Sequence, residues 1–246
     1  MRATLLIAAA GIVGLSHTAL AQSGAERFRV SVNGAVQVTA RTASQKFSLT
    51  KNLESAPIGV DISLASAPLF DVGGSVRLVH RLAVGVAVSS LSRTVDGSVD
   101  AKIAHPFFFN APRSVAGTLS NLKQSERAVH VAAVYFIPLP HTLEIGVFGG
   151  PSRFSVKQDL VTDVAYTDSY PFDAATFASA TTTSISKTGM GYNVGVDVGW
   201  RLSKTIGIGG LIRLTRASTT LSVSAGNTVA ADLGGLQTGA GVRLIF

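Results

Sequence analysis

Met190-Gly191-Tyr192-Asn193-Val194-Gly195-Val196-Asp197-Val198-Gly199-Trp200-Arg201-Leu202 is the stretch that decides the fold. Its even positions are all apolar, while its odd positions are glycine, asparagine, aspartate or arginine. A period of two sends these sets to opposite faces of a strand, so one face is continuously apolar and the other small or charged. The same alternation runs through Leu82, Val84, Val86 and Val88 against Ala83, Gly85, Ala87 and Ser89. It returns in Thr238, Ala240, Val242, Leu244 and Phe246 against Gly239, Gly241 and Arg243.

Working outward, three places join two such runs through very little chain: His80-Arg81, Pro138 to His141, and Ser203-Lys204. Each reads as a tight hairpin. Counting from these turns predicts eight strands, near 27–40, 68–79, 82–94, 126–137, 142–157, 189–202, 205–221 and 233–246. Long connections are expected at 41–67, 95–125 and 158–188, with a shorter one at 222–232. Short turns alternating with long loops are the rhythm of an outer-membrane barrel, and an even strand count puts both chain ends at one rim. A tilted spanning strand needs about 9–11 residues. Only closure satisfies every backbone group in hydrocarbon, so the fold class is all-β, an eight-stranded antiparallel up-and-down transmembrane β-barrel. Eight strands leave a lumen just wide enough for side chains, which accounts for an inner face of Gly, Ala and Ser and excludes a wide aqueous pore.

Composition agrees. The chain has 246 residues, 46% apolar and only 14% charged, too few charges to cover a fully water-exposed surface. It contains no Cys, which excludes disulfides and zinc–thiolate sites. Met1-Arg2, the apolar Leu5–Leu15 and Ala19-Leu20-Ala21 read as a signal peptide over 1–21 with cleavage after Ala21, leaving 22–246 as the barrel domain. The leader is broken by Ser16-His17-Thr18 and is short for a membrane anchor. Loss of Arg2 lowers the formal charge from +7 to +6, since 1–21 contains no Asp or Glu.

A soluble lipocalin-like barrel gives the same alternation with its faces reversed. Against it, the second face of 189–202 carries only Asp197 and Arg201 among small residues, which suits a cramped interior better than a solvated exterior. Trp200 and Tyr135 fall near short turns, where an interfacial aromatic girdle sits. The chain ends Gly241-Val242-Arg243-Leu244-Ile245-Phe246. This resembles the C-terminal signal by which outer-membrane barrels are inserted, with Gly241, Leu244 and Phe246 carrying the match. Taken whole, the chain is similar to the eight-stranded outer-membrane barrel group, which includes the outer-membrane protein A transmembrane domain and the OmpW-like barrels. The resemblance implies the outer membrane of a Gram-negative-type bacterium, contact with outer-membrane lipids and lipopolysaccharide, and handling by the barrel-insertion machinery.

By parity Asp71, Arg77, His130, Glu144, Asp197, Arg201, Arg213 and Arg243 face inward. Unpaired charges there are costly, so Asp71, Glu144 and Asp197 are expected to pair with the arginines as a structural plug, or alternatively as a gate. Gly149-Gly150-Pro151 lacks the Lys and helix of a phosphate loop and is expected to kink or bulge a strand near the outer rim. The three phenylalanines of His105–Asn110 suggest packing over the barrel mouth or contact with an apolar partner. The acidic segment 158–173 fits no EF-hand, and neither a metal nor any other cofactor is expected. Dispersed cations and the lack of a known module argue against nucleic acid. Arg93, Lys102, Arg113, Lys123, Arg127, Arg153, Lys157, Lys187 and Arg216 instead read as contacts for lipopolysaccharide phosphates. No catalytic residues are assigned. The reading is non-enzymatic: envelope integrity, surface interaction or restricted passage of small molecules. The alternatives are an OmpW-like route for small apolar solutes, a lipid A-modifying barrel using His130 or His105, and a soluble lipid-binding barrel.

Overall fold

The computed structural model describes residues 27–39, 41–139, 142–224 and 227–246; the leader, its cleavage point and His141 lie outside the described residues. Ten strands form: β1 (Phe28–Val38), β2 (Arg41–Lys51), β3 (Glu54–Leu64), β4 (Ala67–Val79), β5 (Leu82–Ile103), β6 (Arg113–Pro138), β7 (Leu143–Ser169), β8 (Ala174–Arg201), β9 (Ile206–Ser224) and β10 (Asn227–Ile245). Eight of them close a ring in the order β1-β4-β5-β6-β7-β8-β9-β10, every pair antiparallel, with β10 returning to β1. The Phe246 carbonyl accepts hydrogen bonds from the Arg27 and Phe28 amides at 2.8 and 3.0 Å, so the last residue completes the closure.

The expected connection at 41–67 is the hairpin β2–β3, which docks where Ile58–Ile62 pair with Ala101–Gly97 of β5. The connections expected at 95–125 and 158–188 and most of that at 222–232 are continuations of the barrel strands. The reason is visible on β5, where the alternation never stops but the apolar set changes sides. Val84, Val86 and Val88 point outward and are exposed, whereas Leu91, Val95, Val99, Ala101 and Ile103 point inward and are buried. Outward positions beyond Ser90 carry Asp96, Ser98, Asp100 and Lys102. On β7 the outward Leu143, Ile145, Val147 and Pro151 give way to Arg153, Ser155 and Lys157 as Phe154, Val156 and Leu160 become buried. On β9 the outward Ile206, Ile208, Ile212 and Leu214 give way to Arg216 and Ser218. The strands therefore leave an apolar medium and continue into water. The outward apolar run of β8, Met190 to Trp200, matches the ~9–11 residues of one membrane crossing.

Beyond this belt stands a turret. β6 and β7 remain paired as far as Gln124 and Gln158 and then part. Above that point β2-β3-β5-β6 form one sheet, and the β7–β8 ribbon lies across its inner face. Ile58, Ile62, Val99, Ile103, Val115 and Val164 make the core between them. Fully burying each such side chain contributes about 1.5–3 kcal/mol. At Gly117 the sheets touch: a Cβ there would lie 2.2 Å from the Phe177 ring, so only glycine lets the ring lie flat. A second core, with Phe154, Leu160, Leu221 and Leu233, fills the space between β7, β9 and β10. From Ser152 to Ser169 the chain runs roughly 60 Å along the strand, at ~3.3 Å per residue.

Candidate functional site in the barrel lumen

The inner wall of the ring is a stack of polar layers. At the short-turn rim, Glu144 on β7 is held by Arg29 on β1 and by Arg77 Nη2 on β4 at 2.5 Å. Both guanidinium groups stack on the inward ring of Phe136, at 4.8 and 4.6 Å from its centroid. One layer up, Arg243 donates to Asp197 at 2.5 and 3.2 Å and to Asn33 Oδ1 at 2.5 Å. Asn33 donates to Asp71 at 3.0 Å, and Arg213 donates to the other Asp71 oxygen at 2.6 Å. Arg213 also binds Gln237 at 2.7 Å, which donates to Gln37 at 2.8 Å. These charges are buried with partners, the condition under which desolvation is offset.

Asp71, Arg77, Glu144, Asp197, Arg213 and Arg243 thus belong to one connected set. Arg201 lies at the rim, half-buried, and lines a cavity there. His130 lies on the opposite wall. Its Nε2 is 3.0 Å from Ser89 Oγ and its Nδ1 2.8 Å from Ser152 Oγ, and its ring meets Phe154 edge-on. Sequence reasoning missed Arg29, Asn33, Gln37 and Gln237. Their signal was present, because Arg29, Asn33 and Gln37 share the inward parity of their strand.

The neck between barrel and turret is built around Gly234 and Gly235, whose φ values of 83° and 154° are ones that favour glycine, while their pairing with β9 continues unbroken. A side chain at Gly234 would also strike Thr215. The Gly234 carbonyl accepts from Gln37 and from Arg41 at 3.2 Å each, while its amide donates to Glu126 at 3.0 Å. Glu126 lies above the apolar belt and is nearly fully buried. Burial pushes its carboxyl up, opposed by the Gly234 amide and by Arg41 and Arg93. Above the neck, the two apolar cores fill the axis.

Two of the cations assigned to lipopolysaccharide face inward instead. Arg113 is buried and bonded to Asp168 at 2.6 Å and to the carbonyls of Ala104 and Phe172, because the distal turn needs its open acceptors satisfied. Arg93 bonds Gln124 and the Ala65 carbonyl at the neck. Lys123, Arg127, Arg153, Lys157, Lys187 and Arg216 are exposed on the β6–β9 wall, just beyond the belt. Phe107, Phe108 and Phe109 do not cover the barrel mouth. They stand exposed at the distal tip, where Phe107 meets Phe172 edge-on at 5.3 Å. His105 staples that turn: its Nδ1 accepts the amides of Phe107 and Phe108 at 3.1 and 3.2 Å.

Pro151 breaks the ladder. The β6–β7 register omits Val131 and Ala132 opposite Gly150 and Pro151. Asn193 on β8 reaches across from the lumen and donates to the Gly150 and Pro151 carbonyls at 2.9 and 3.2 Å. Beside it lies a lumen cavity of about 100 Å³ bounded by His130, Asn193, Asp71 and Arg213. Among the described residues no three metal-binding side chains converge, and His130 has no carboxylate among its hydrogen-bond partners.

No family model matches the sequence, and no curated relative does. Solved structures do match in fold. The outer membrane protein OprG from Pseudomonas aeruginosa is 10% identical, with 90% of this chain and 96% of that one covered at a TM-score of 0.50. Neisserial surface protein A is 15% identical over 91% of this chain and 100% of that one, at a TM-score of 0.45. The outer membrane protease OmpT from Escherichia coli is 10% identical over 89% and 97%, at 0.46. A closed ring of eight strands with an apolar exterior and a polar interior is the fold of the eight-stranded outer-membrane β-barrels, to which this chain adds a hairpin and a tall turret.

Proposed function

We propose that the chain is an integral outer-membrane barrel that works through its surface rather than through an axial channel or catalysis. The observation that carries this is the filled axis: buried pairs Asp71–Arg213 and Asp197–Arg243 are followed by the Glu126 neck and then by apolar cores. The six exposed cations of the β6–β9 wall sit where phosphates of an outer leaflet rich in lipopolysaccharide would lie, which supports anchorage and envelope integrity. The exposed aromatic tip, held far from the belt, supports a surface-interaction role. Planar-bilayer recording tests the proposal. Purified protein is expected to give no stepwise conductance, and steady openings in the wild type would overturn it.

One observation favours a second reading, passage of small apolar solutes through the wall. The β6–β7 ladder is interrupted at Pro151, within the apolar belt, and the Asn193 carboxamide bridges the interruption from the lumen side. Solute uptake into liposomes that rises with Asn193→Ala, with axial conductance still absent, would favour that route.

A further inference from the structure

Three turns meet at the distal end of the turret, and each presents a large apolar side chain to solvent. Leu53 lies between β2 and β3, Phe107, Phe108 and Phe109 between β5 and β6, and Tyr170 between β7 and β8; all five are 64–88% exposed. The turns are fastened to one another. Asn52 donates to the Ala104 carbonyl, the Asn110 amide to Glu54 and Arg113 to the Phe172 carbonyl, each at 3.0 Å. Leu53 sits at φ 65° in a two-residue hairpin turn, where glycine or asparagine is at ease and leucine is strained. Local preference therefore does not explain a leucine there, and so exposed a side chain adds little to the core. The polar groups of these turns are satisfied within them. His105 accepts the Phe107 and Phe108 amides, and Arg113 also donates to the Ala104 carbonyl. This lowers the cost of moving the tip out of water, which is high for loops whose backbone relies on water for its hydrogen bonds. The nearby cations are engaged: Lys51 by Asp163 at 2.9 Å, Lys102 by Ser114 at 2.9 Å and Arg113 by Asp168 at 2.6 Å, whereas the Asp173 side chain is 78% exposed. The tip has apolar reach without a positive field. Side chains that project from three turn apices suit a medium that deforms around each of them, as lipid headgroups do, and aromatic rings favour that interface.

We propose that the distal tip inserts Leu53, Phe107, Phe108, Phe109 and Tyr170 into the headgroup region of a second, apposed membrane with a zwitterionic surface. The tip stands at the end of the turret remote from the belt, since β7 runs roughly 60 Å from Ser152 to Ser169 at ~3.3 Å per residue. The inference rests on the surface-interaction reading above and names the partner as a lipid surface.

The test uses the full chain in phosphatidylcholine nanodiscs, mixed with phosphatidylcholine liposomes and separated by flotation, with protein-free nanodiscs as background. The wild type is expected to float with the liposomes. Flotation should fall about fivefold or more in Leu53→Ser/Phe108→Ser/Phe109→Ser, which removes apolar area at the tip alone. Heat-modifiable migration establishes that the barrel of each variant is folded. Lys123→Gln/Lys157→Gln on the β6–β7 wall should float like the wild type, and phosphatidylserine in the liposomes should change flotation by less than about twofold. Phe109→Trp keeps the tip apolar and gives a second readout: its emission should move to the blue and be quenched by liposomes of brominated phosphatidylcholine, beyond the Trp200 signal of the wild type. Equal flotation of the serine variant, flotation that needs phosphatidylserine, or no flotation of the wild type would overturn the proposal. Steady axial conductance would remove the surface reading and leave the flotation result untouched, so absent flotation with absent conductance removes this inference alone.

Discussion

Val86 and Val99 lie on the same strand, yet Val86 is 49% exposed and Val99 is 1% exposed. The ladder joining them is continuous apart from one bulge near Val95. In the lower barrel the apolar face is outside and the polar face inside, while in the turret this is reversed. Such an inversion makes sense only if the two ends of the strand meet different solvents: hydrocarbon below, water above. It also teaches what an expected loop can hide. The outward apolar pattern ends at Val88, so 95–125 is expected to be a connection, whereas in the fold the apolar set has moved to the inner face.

Four tests, made with five substitutions, probe this comparison. The largest effect is expected from Ile58→Asp, which buries an unpaired carboxylate in the turret core and costs about 4 kcal/mol. Limited proteolysis should then cut the turret while heat-modifiable migration of the barrel persists; a barrel that unfolds with it would mean that the two regions are one cooperative unit. Next, Val86→Arg against Ser98→Arg places one change on the same face of the same strand in two solvents. About 2–4 kcal/mol is expected for Val86→Arg near the bilayer midplane and less than about 0.5 for Ser98→Arg, measured by denaturant-dependent refolding into vesicles. Similar costs at both positions would remove the solvent boundary.

The third test lies at the neck. A raised carboxyl contributes stability that is full below its unfolded pKa and lost as pH rises through its higher folded value. Glu126 should therefore make the neck firmest in acid, and Glu126→Gln should be more stable than the wild type near neutral pH and lose that slope, seen as slower amide exchange at Gly234. A variant that is weaker at neutral pH would show that the Arg41 and Arg93 attractions outweigh burial. The smallest effect belongs to Asp163 on the turret surface. Partial burial raises its carboxyl, but the Lys51 ammonium at 2.9 Å and the Val164 amide hold it below its ordinary value. Its contribution is present above the unfolded pKa and fades as pH falls. Asp163→Asn should cost less than about 0.5 kcal/mol in turret melting, and the difference should vanish in high salt.

Much of the candidate site was legible because inward parity is inherited along a strand. Asp71, Glu144, Asp197, Arg213 and Arg243 can be placed on the lumen wall from alternation alone. Which acid meets which arginine depends on stagger between strands distant in sequence, as with Asp71 and Arg213 across the lumen. The same holds for the neck, where Gly234 gathers Gln37, Arg41 and Glu126 from three other strands.

The amino-acid order by itself settles local matters here: the two-residue period, the three short turns, and the inward identity of the charges, since each depends only on neighbours along one strand. Only the assembled ring decides that 41–64 forms a hairpin seated on β5, that Arg93 and Arg113 turn inward, and that the axis is filled. Those outcomes arise where separate strands must share one narrow interior and each buried donor must find an acceptor, a constraint that no single stretch of chain contains.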